Sequence, residues 1–129
     1  MKPIVIALIA AGAILGAFIR YKMTESPLLL GMLPVNVLIV NVIGSFILGL
    51  FAAITLHWNL EQNYTLFVAV GFCGSLTTMS SFAFETSNLL EQKQLGLIAF
   101  NIIANVGLSI GAIIGGRALM SSILNFIPK

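Results

Sequence analysis

Four long apolar segments take up most of the 129-residue sequence and limit the folds open to it. The hydrocarbon core of a bilayer is about 30 Å thick and a helix rises about 1.5 Å per residue, so about 20 apolar residues cross it as a helix. The four segments approach or exceed that length, and they run over about residues 3–19, 34–56, 64–90 and 95–119. The sequence therefore predicts an all-α membrane protein, a single domain over residues 1–129 with four spans.

Composition supports this class, since charged residues make up 8% of the chain against roughly 25% in an average soluble domain. The amino-terminal stretch MKPIVIALIAAGAILGAFIR also has features of a secretory signal peptide. Its apolar run ends at Arg20 rather than at a processing site before a soluble domain, which favours a first membrane span. Cys73 is the one cysteine, so we expect no disulfide within a subunit and favour a small buried residue.

The sequence offers little that suggests catalysis. His57, Trp58 and the pair of Glu61 with the distant Glu85 offer neither a metal-ligand cluster nor a nucleophile–base arrangement. The net charge of +2 is too small and too scattered to indicate nucleic-acid binding. The sequence therefore predicts that the protein is not an enzyme.

The basic residues give no orientation in the membrane, because they divide equally between the two predicted faces. One face has Lys2, Arg117 and Lys129, and the other has Arg20, Lys22 and Lys93. Orientation normally follows an excess of Lys and Arg on the cytoplasmic side. A chain without that excess can insert both ways up, which favours an antiparallel dimer of identical subunits. The alternative is that a residue such as Arg20 does not count toward orientation.

Small residues recur at four-residue spacing in three of the spans, and such rows let helix backbones approach closely in lipid. They are Gly12 with Gly16, Ser45 with Gly49, and the row Gly107, Gly111 and Gly115. Polar side chains also occur at membrane depth. Asn41 lies in the second span, and Asn101, Asn105 and Ser109 form a stripe on one face of the fourth. Unpaired polar groups are costly in lipid, so we expect this stripe to face protein or water.

The middle of the third span changes from apolar to small and hydroxyl-bearing residues, in the stretch GFCGSLTTMSSFAFE over residues 71–85. Its glycines and hydroxyl residues make a poor helix centre, and non-helical backbone at membrane depth survives only inside protein or beside a cavity. Carbonyls freed by a broken helix can hold a sodium ion. Met79 and Phe82 share a face after the break, and the electron-poor edge of an aromatic ring beside hydroxyl donors suits a small anion. The alternative is that Phe82 is ordinary packing and the hydroxyls bond their own helix.

These motifs resemble those of the Fluc fluoride channels, the CrcB family. The stretch over residues 71–85 is similar to the third-span signature G-x-x-G-G-[LS]-[ST]-T-F-S-T-F-x-x-E. GAFIR resembles the small-residue-then-arginine ending of the first span, and VNVIGSFILG resembles the asparagine-bearing second span. The order and spacing of the three motifs across four spans extend the resemblance over the whole chain.

The resemblance implies an antiparallel, dual-topology dimer with two fluoride pores and a central structural sodium ion. It implies that the third helix is broken from Gly74 to Thr77 and that the backbone carbonyls of these two residues bind the sodium ion. It also places Arg20 near the aqueous vestibule. It also implies a set of fluoride-pore residues. They are Asn41, Thr78, Met79, Ser80, Ser81, Phe82 and Ser109.

Two positions depart from the family pattern. Met79 stands where the family usually has its first pore phenylalanine, and Ser75 stands for its second motif glycine. Methionine has a similar volume and is polarizable, but it lacks a ring edge. The subunit therefore pairs either with a second copy of itself or with a related chain that supplies the missing ring.

The resulting hypothesis is a fluoride channel in a prokaryotic inner membrane that lowers cytoplasmic fluoride by passive export. The main alternative is a small multidrug-type proton-coupled antiporter, which is also short and four-spanning. Such carriers depend on an embedded acid in the first span, and residues 3–19 contain none. A membrane scaffold without transport is a third possibility, which explains the glycine rows but not the hydroxyl cluster.

Overall fold

The computed structural model describes residues 2–127 and contains four helical segments long and apolar enough to cross a membrane. The chain is therefore a multi-pass membrane protein of the predicted all-α class. Three of the segments are single helices, and the third segment is composite. The single helices are α1 (Pro3–Thr24), α2 (Asn36–Trp58) and α6 (Leu95–Leu124). The third segment, Gln62–Glu91, contains α3 (Gln62–Thr65), a π-helical stretch (Leu66–Cys73), α4 (Gly74–Leu76) and α5 (Met79–Glu91).

α1 continues beyond the apolar run that predicted it. It carries Pro3 in its first turn, where a missing N–H donor costs little, and it ends at Thr24 rather than near Ile19. The Thr24 hydroxyl donates to the Arg20 carbonyl at 2.9 Å in the last turn. The predicted limit marked the end of the apolar residues, but a helix satisfies its own backbone and continues into the polar interface.

A short hairpin, which the sequence did not predict, joins α1 to α2. Its strands are β1 (Leu29–Leu30) and β2 (Leu33–Pro34), joined by a turn in which Gly31 has a φ of +61°. The predicted start of the second span, at about Pro34, lies before the helix, because Pro34 pairs with Leu29 in the hairpin and α2 begins at Asn36.

The Asn36 side chain explains this start. Its Oδ1 accepts from the Leu28 amide at 2.7 Å, and its Nδ2 donates to the carbonyls of Met23 (2.6 Å) and Ser26 (3.0 Å). These bonds fix the chain before α2 in a non-helical path, so the helix cannot start earlier.

The third segment is broken, as predicted, at two consecutive extended residues. Thr77 has φ −76° and ψ 153°, and Thr78 has φ −149° and ψ 116°. The prediction that the break begins at Gly74 is wrong, since Gly74–Leu76 is helical. The rare π-helical stretch Leu66–Cys73, with its widened turns, precedes it.

Close helix contacts depend on glycine at the predicted positions in α1. A Cβ on Gly12 or Gly16 would collide with backbone atoms of the π-helical stretch, including the Phe67 and Phe72 carbonyls. Between α2 and α6 the same contact is made by Gly49 and by a glycine outside the predicted rows, Gly116. The predicted row of glycines in α6 has a different role, because a Cβ there meets nothing within 4 Å. Its members are Gly107, Gly111 and Gly115. This row does not pack within the subunit and leaves one face of α6 open.

Candidate functional site

The hydroxyl cluster of the third segment gathers at the amino terminus of α5. Thr78 is the N-cap, and its Oγ1 accepts from the Ser81 amide at 3.2 Å. The same oxygen lies 3.0 Å from the Ser81 hydroxyl and 3.2 Å from the Ser80 hydroxyl. Thr78 is only 7% exposed. The hydroxyls therefore do bond within their own segment, and they form a compact polar group in which Thr78 is buried and Ser80 is exposed.

Asn41 reaches from α2 to the break. Its Oδ1 accepts from the Thr78 amide at 2.8 Å, and its Nδ2 donates to Asn105 Oδ1 at 2.9 Å and to the Thr78 carbonyl at 3.3 Å. Both amide hydrogens thus have partners within the subunit. An anion that binds Asn41, as predicted, would displace the longer bond to the Thr78 carbonyl.

The polar stripe on α6 faces protein, as expected. Asn101 and Asn105 are 1% and 5% exposed, and Asn105 Nδ2 donates to Asn101 Oδ1 at 2.8 Å. Asn101 Nδ2 donates to the Thr86 hydroxyl on α5 at 3.1 Å. Thr86 is not among the residues predicted from the sequence. Its only signal was a hydroxyl four residues after Phe82, and such residues commonly bond back to their own helix, as Thr86 does to the Phe82 carbonyl at 2.8 Å.

Two cavities meet at the break. The central cavity has a volume of about 380 Å³ and contains six of the predicted residues among its lining. Those six are Asn41, Gly74, Thr77, Thr78, Met79 and Ser109. The second, which we call the vestibule cavity, has a volume of about 460 Å³ and is lined by Arg20, Thr78, Ser80, Ser81 and Glu85, among others. Thr78 lines both cavities, so the capped break forms the wall between them.

Phe82 borders a third space. It lines a largely apolar cavity of about 440 Å³ between α5 and α6, together with Thr86 and Ile98. Val106 lines both this cavity and the central one, which makes them neighbours. Within one subunit, Phe82 and Met79 thus line two different, neighbouring cavities. Met79 is 72% exposed, so most of its surface faces outward from the subunit.

Sequence comparison decides the family. Residues 7–117 match the family described as "CrcB-like protein, Camphor Resistance (CrcB)", a region that contains every residue of the site above. The chain belongs to the CrcB family.

Curated members of the CrcB family are similar to this chain over nearly all of its length. A protein of Nitrosopumilus maritimus (strain SCM1) is 63% identical over 97% of this chain and 99% of its own. Proteins of Methanococcus vannielii and Clostridium novyi (strain NT) are 40% and 36% identical, over 89% and 92% of this chain and 94% and 96% of theirs. All three are named "Fluoride-specific ion channel FluC". These names describe ion channels, in agreement with the prediction that the chain is not an enzyme.

The geometry of Gly74 and Thr77 fits the carbonyl ligands implied by the family resemblance. In an unbroken helix their carbonyls would accept from the amides of Thr78 and Ser81. Those amides bond Asn41 Oδ1 and Thr78 Oγ1 instead. Both residues line the central cavity, and carbonyl oxygens are hard donors that suit a sodium ion. The sodium site itself stays a prediction.

Proposed function

We propose that the chain is the subunit of a fluoride-selective channel that lets fluoride leave the cytoplasm passively. The observation that carries this proposal is the capped break at Thr77–Thr78, which places hydroxyl and amide groups between two cavities at membrane depth. The names of the curated relatives support the choice of ion.

The chemistry of the break suits a small anion. Hydroxyl and amide hydrogens stabilise negative charge without the full positive charge that would hold an anion too tightly, and conduction requires release as well as entry. Arg20 lines the vestibule cavity, where its guanidinium attracts anions from the water phase. A negative cell interior then drives the export, because about 2.3 kcal/mol is gained per elementary charge and 100 mV.

The pore in this proposal is completed by a second, antiparallel copy of the chain. Three observations support that partner: the exposed Met79 side chain, the open glycine face of α6 and the balanced basic charges. Two broken segments that face each other across a twofold axis would direct the carbonyls of Gly74 and Thr77 toward one sodium ion. A related chain with a phenylalanine in place of Met79 is the alternative partner.

Purified protein in liposomes tests the function. We expect fluoride efflux down its gradient once valinomycin and a potassium gradient supply the counter-charge, with no chloride efflux under the same conditions. Efflux of an organic cation that requires a proton gradient would favour the antiporter, although α1 has no acidic residue to carry the proton. Absence of any flux from protein reconstituted as a monodisperse species would favour the scaffold.

A further inference from the structure

We propose that Thr86 and Asn101 are positioning residues that fix the direction of the Asn41 amide at the break without contacting the ion. They act through a chain of side-chain hydrogen bonds, which we call the amide relay. Its members are Thr86, Asn101, Asn105 and Asn41. The expected effect on conduction rests on the proposed function above. The relay itself can be tested by a measurement that does not depend on that function.

Backbone groups fix the polarity of the relay at both of its ends. At one end Asn41 Oδ1 meets the Thr78 N–H at 2.8 Å, a group that can only donate. At the other end the Thr86 hydroxyl meets the Phe82 carbonyl at 2.8 Å, a group that can only accept. The hydroxyl hydrogen of Thr86 is used in this bond, so its oxygen can only accept a hydrogen bond, and it does so from Asn101.

The middle of the relay carries that polarity from one amide to the next. Thr86 Oγ1 accepts from Asn101 Nδ2 at 3.1 Å, Asn101 Oδ1 accepts from Asn105 Nδ2 at 2.8 Å, and Asn105 Oδ1 accepts from Asn41 Nδ2 at 2.9 Å. Reversing any one amide would place oxygen against oxygen at one of its two relay contacts and nitrogen against nitrogen at the other. The direction of each amide is therefore set by its neighbours.

Burial makes the loss of a hydrogen bond within the relay costly. Asn101 is only 1% exposed, so an amide that loses its partner there cannot replace it with water. The members lie on α5, α6 and α2, and the ends of the relay lie at Phe82 and Thr78 of the third segment. A change at Thr86, which lines the Phe82 cavity, therefore reaches the central cavity through Asn41.

The direct test is Thr86→Val, which keeps the shape of the side chain and removes the hydroxyl. We expect fluoride flux to fall by roughly tenfold, the scale of one lost buried hydrogen bond. Thr86→Ser should keep the wild-type flux, because the serine hydroxyl keeps the hydrogen bonds to the Phe82 carbonyl and to Asn101. Thr55→Val is the matched control: the Thr55 hydroxyl is also buried in a spanning helix but has no hydrogen-bond partner within residues 2–127. Should Thr86→Val fail to assemble, Thr86→Ala removes the same hydroxyl with less bulk.

A double-mutant cycle distinguishes positioning from general loosening of the fold. In the Asn105→Leu background the relay is already cut, so adding Thr86→Val should change the flux no further. An undiminished additional loss would overturn the proposal. So would wild-type flux in Thr86→Val alone.

A spectroscopic readout separates this proposal from the function. In protein labelled with ¹⁵N-threonine, Thr86→Val should shift the Thr78 amide resonance, and Thr55→Val should leave it in place. If the wild-type protein carries no fluoride, the proposed function fails while this shift still tests the relay. If the wild type conducts and the Thr78 resonance does not move in Thr86→Val, the relay is wrong and the function stands.

Discussion

Phe82 and Met79 lie one helical turn apart on α5 and border different spaces. Phe82 is half-buried against α6, whereas Met79 projects from the subunit beside the central cavity. In the dimer proposed above, a second chain would bring these two cavities into one ion path.

Phe82→Ile tests the role of the ring. Isoleucine keeps much of the apolar volume but removes the electron-poor ring edge, so we expect at least a tenfold loss of fluoride flux in liposomes with assembly unchanged. Phe18→Ile is the control, because Phe18 on α1 is 59% exposed and lines none of the three cavities described above. Wild-type flux in Phe82→Ile would assign Phe82 to packing alone.

At this scale the sequence predicted which polar residues matter better than it predicted their partners. Asn41 and Thr78 stood out because polar groups in an apolar span must find partners inside the protein. The bond between them joins residues 37 positions apart, and the bond from Asn41 to Asn105 joins residues 64 apart. Such pairings depend on how the helices pack, which local sequence does not determine. Thr86 was missed for the same reason.

At the level of elements, the third segment is held against α1 by backbone contact across glycines. A Cβ on Gly16 would lie against the Phe72 carbonyl and 3.0 Å from the Leu76 amide nitrogen, and both are backbone atoms that cannot rotate away. The contact therefore fixes the part of the segment that leads directly into the break.

Gly16→Ala should consequently lower stability even though alanine favours a helix. We expect a loss of about 1–3 kcal/mol, the usual cost of overpacking, seen as a lower midpoint of thermal unfolding in detergent. Gly96→Ala on α6 is the control, since a Cβ at Gly96 meets nothing within 4 Å. An equal midpoint in the two variants would show that α1 and the third segment adjust to the extra methyl group.

The elements differ in how far the sequence could predict them. Long apolar runs predicted the four spans, and clustered glycine and hydroxyl residues predicted the break in the third. The hairpin before α2 escaped prediction because it depends on the Asn36 side chain, which bonds three backbone groups earlier in the chain. The exact site of the break also depends on a tertiary bond, from Asn41 to the Thr78 amide.

On the scale of the whole molecule, the topology remains a prediction from charge balance. The alternating directions of the four spans place Lys2 and Arg117 at one end of the subunit, and Arg20, Lys22 and Lys93 at the other. Lys129, which completes the balance, lies outside the described residues.

Removing one basic residue should therefore favour one orientation of the chain in the membrane. Lys22→Gln leaves an excess of basic residues at the end with the termini, so we expect terminal tags to report mostly a cytoplasmic location, where the unaltered chain reports both sides. Glu25→Gln is the control, because it breaks the same Lys22–Glu25 ion pair (3.1 Å) while acidic residues contribute little to orientation. A single orientation in the unaltered chain would instead favour a paired, related subunit.

The two extended residues of the break also have a mechanical consequence. Before the break the third segment packs on α1, and after it α5 packs on α6, which in turn packs along α2. The third segment thus links two groups of helices, and at Thr78 the backbone amide bonds Asn41 in place of a helical carbonyl. Movement of one group against the other would change the backbone angles of the extended residues Thr77 and Thr78, as well as the hairpin that joins α1 to α2. Asn41 bonds both backbone groups of Thr78, and it therefore holds α2 to the junction between the two groups of helices.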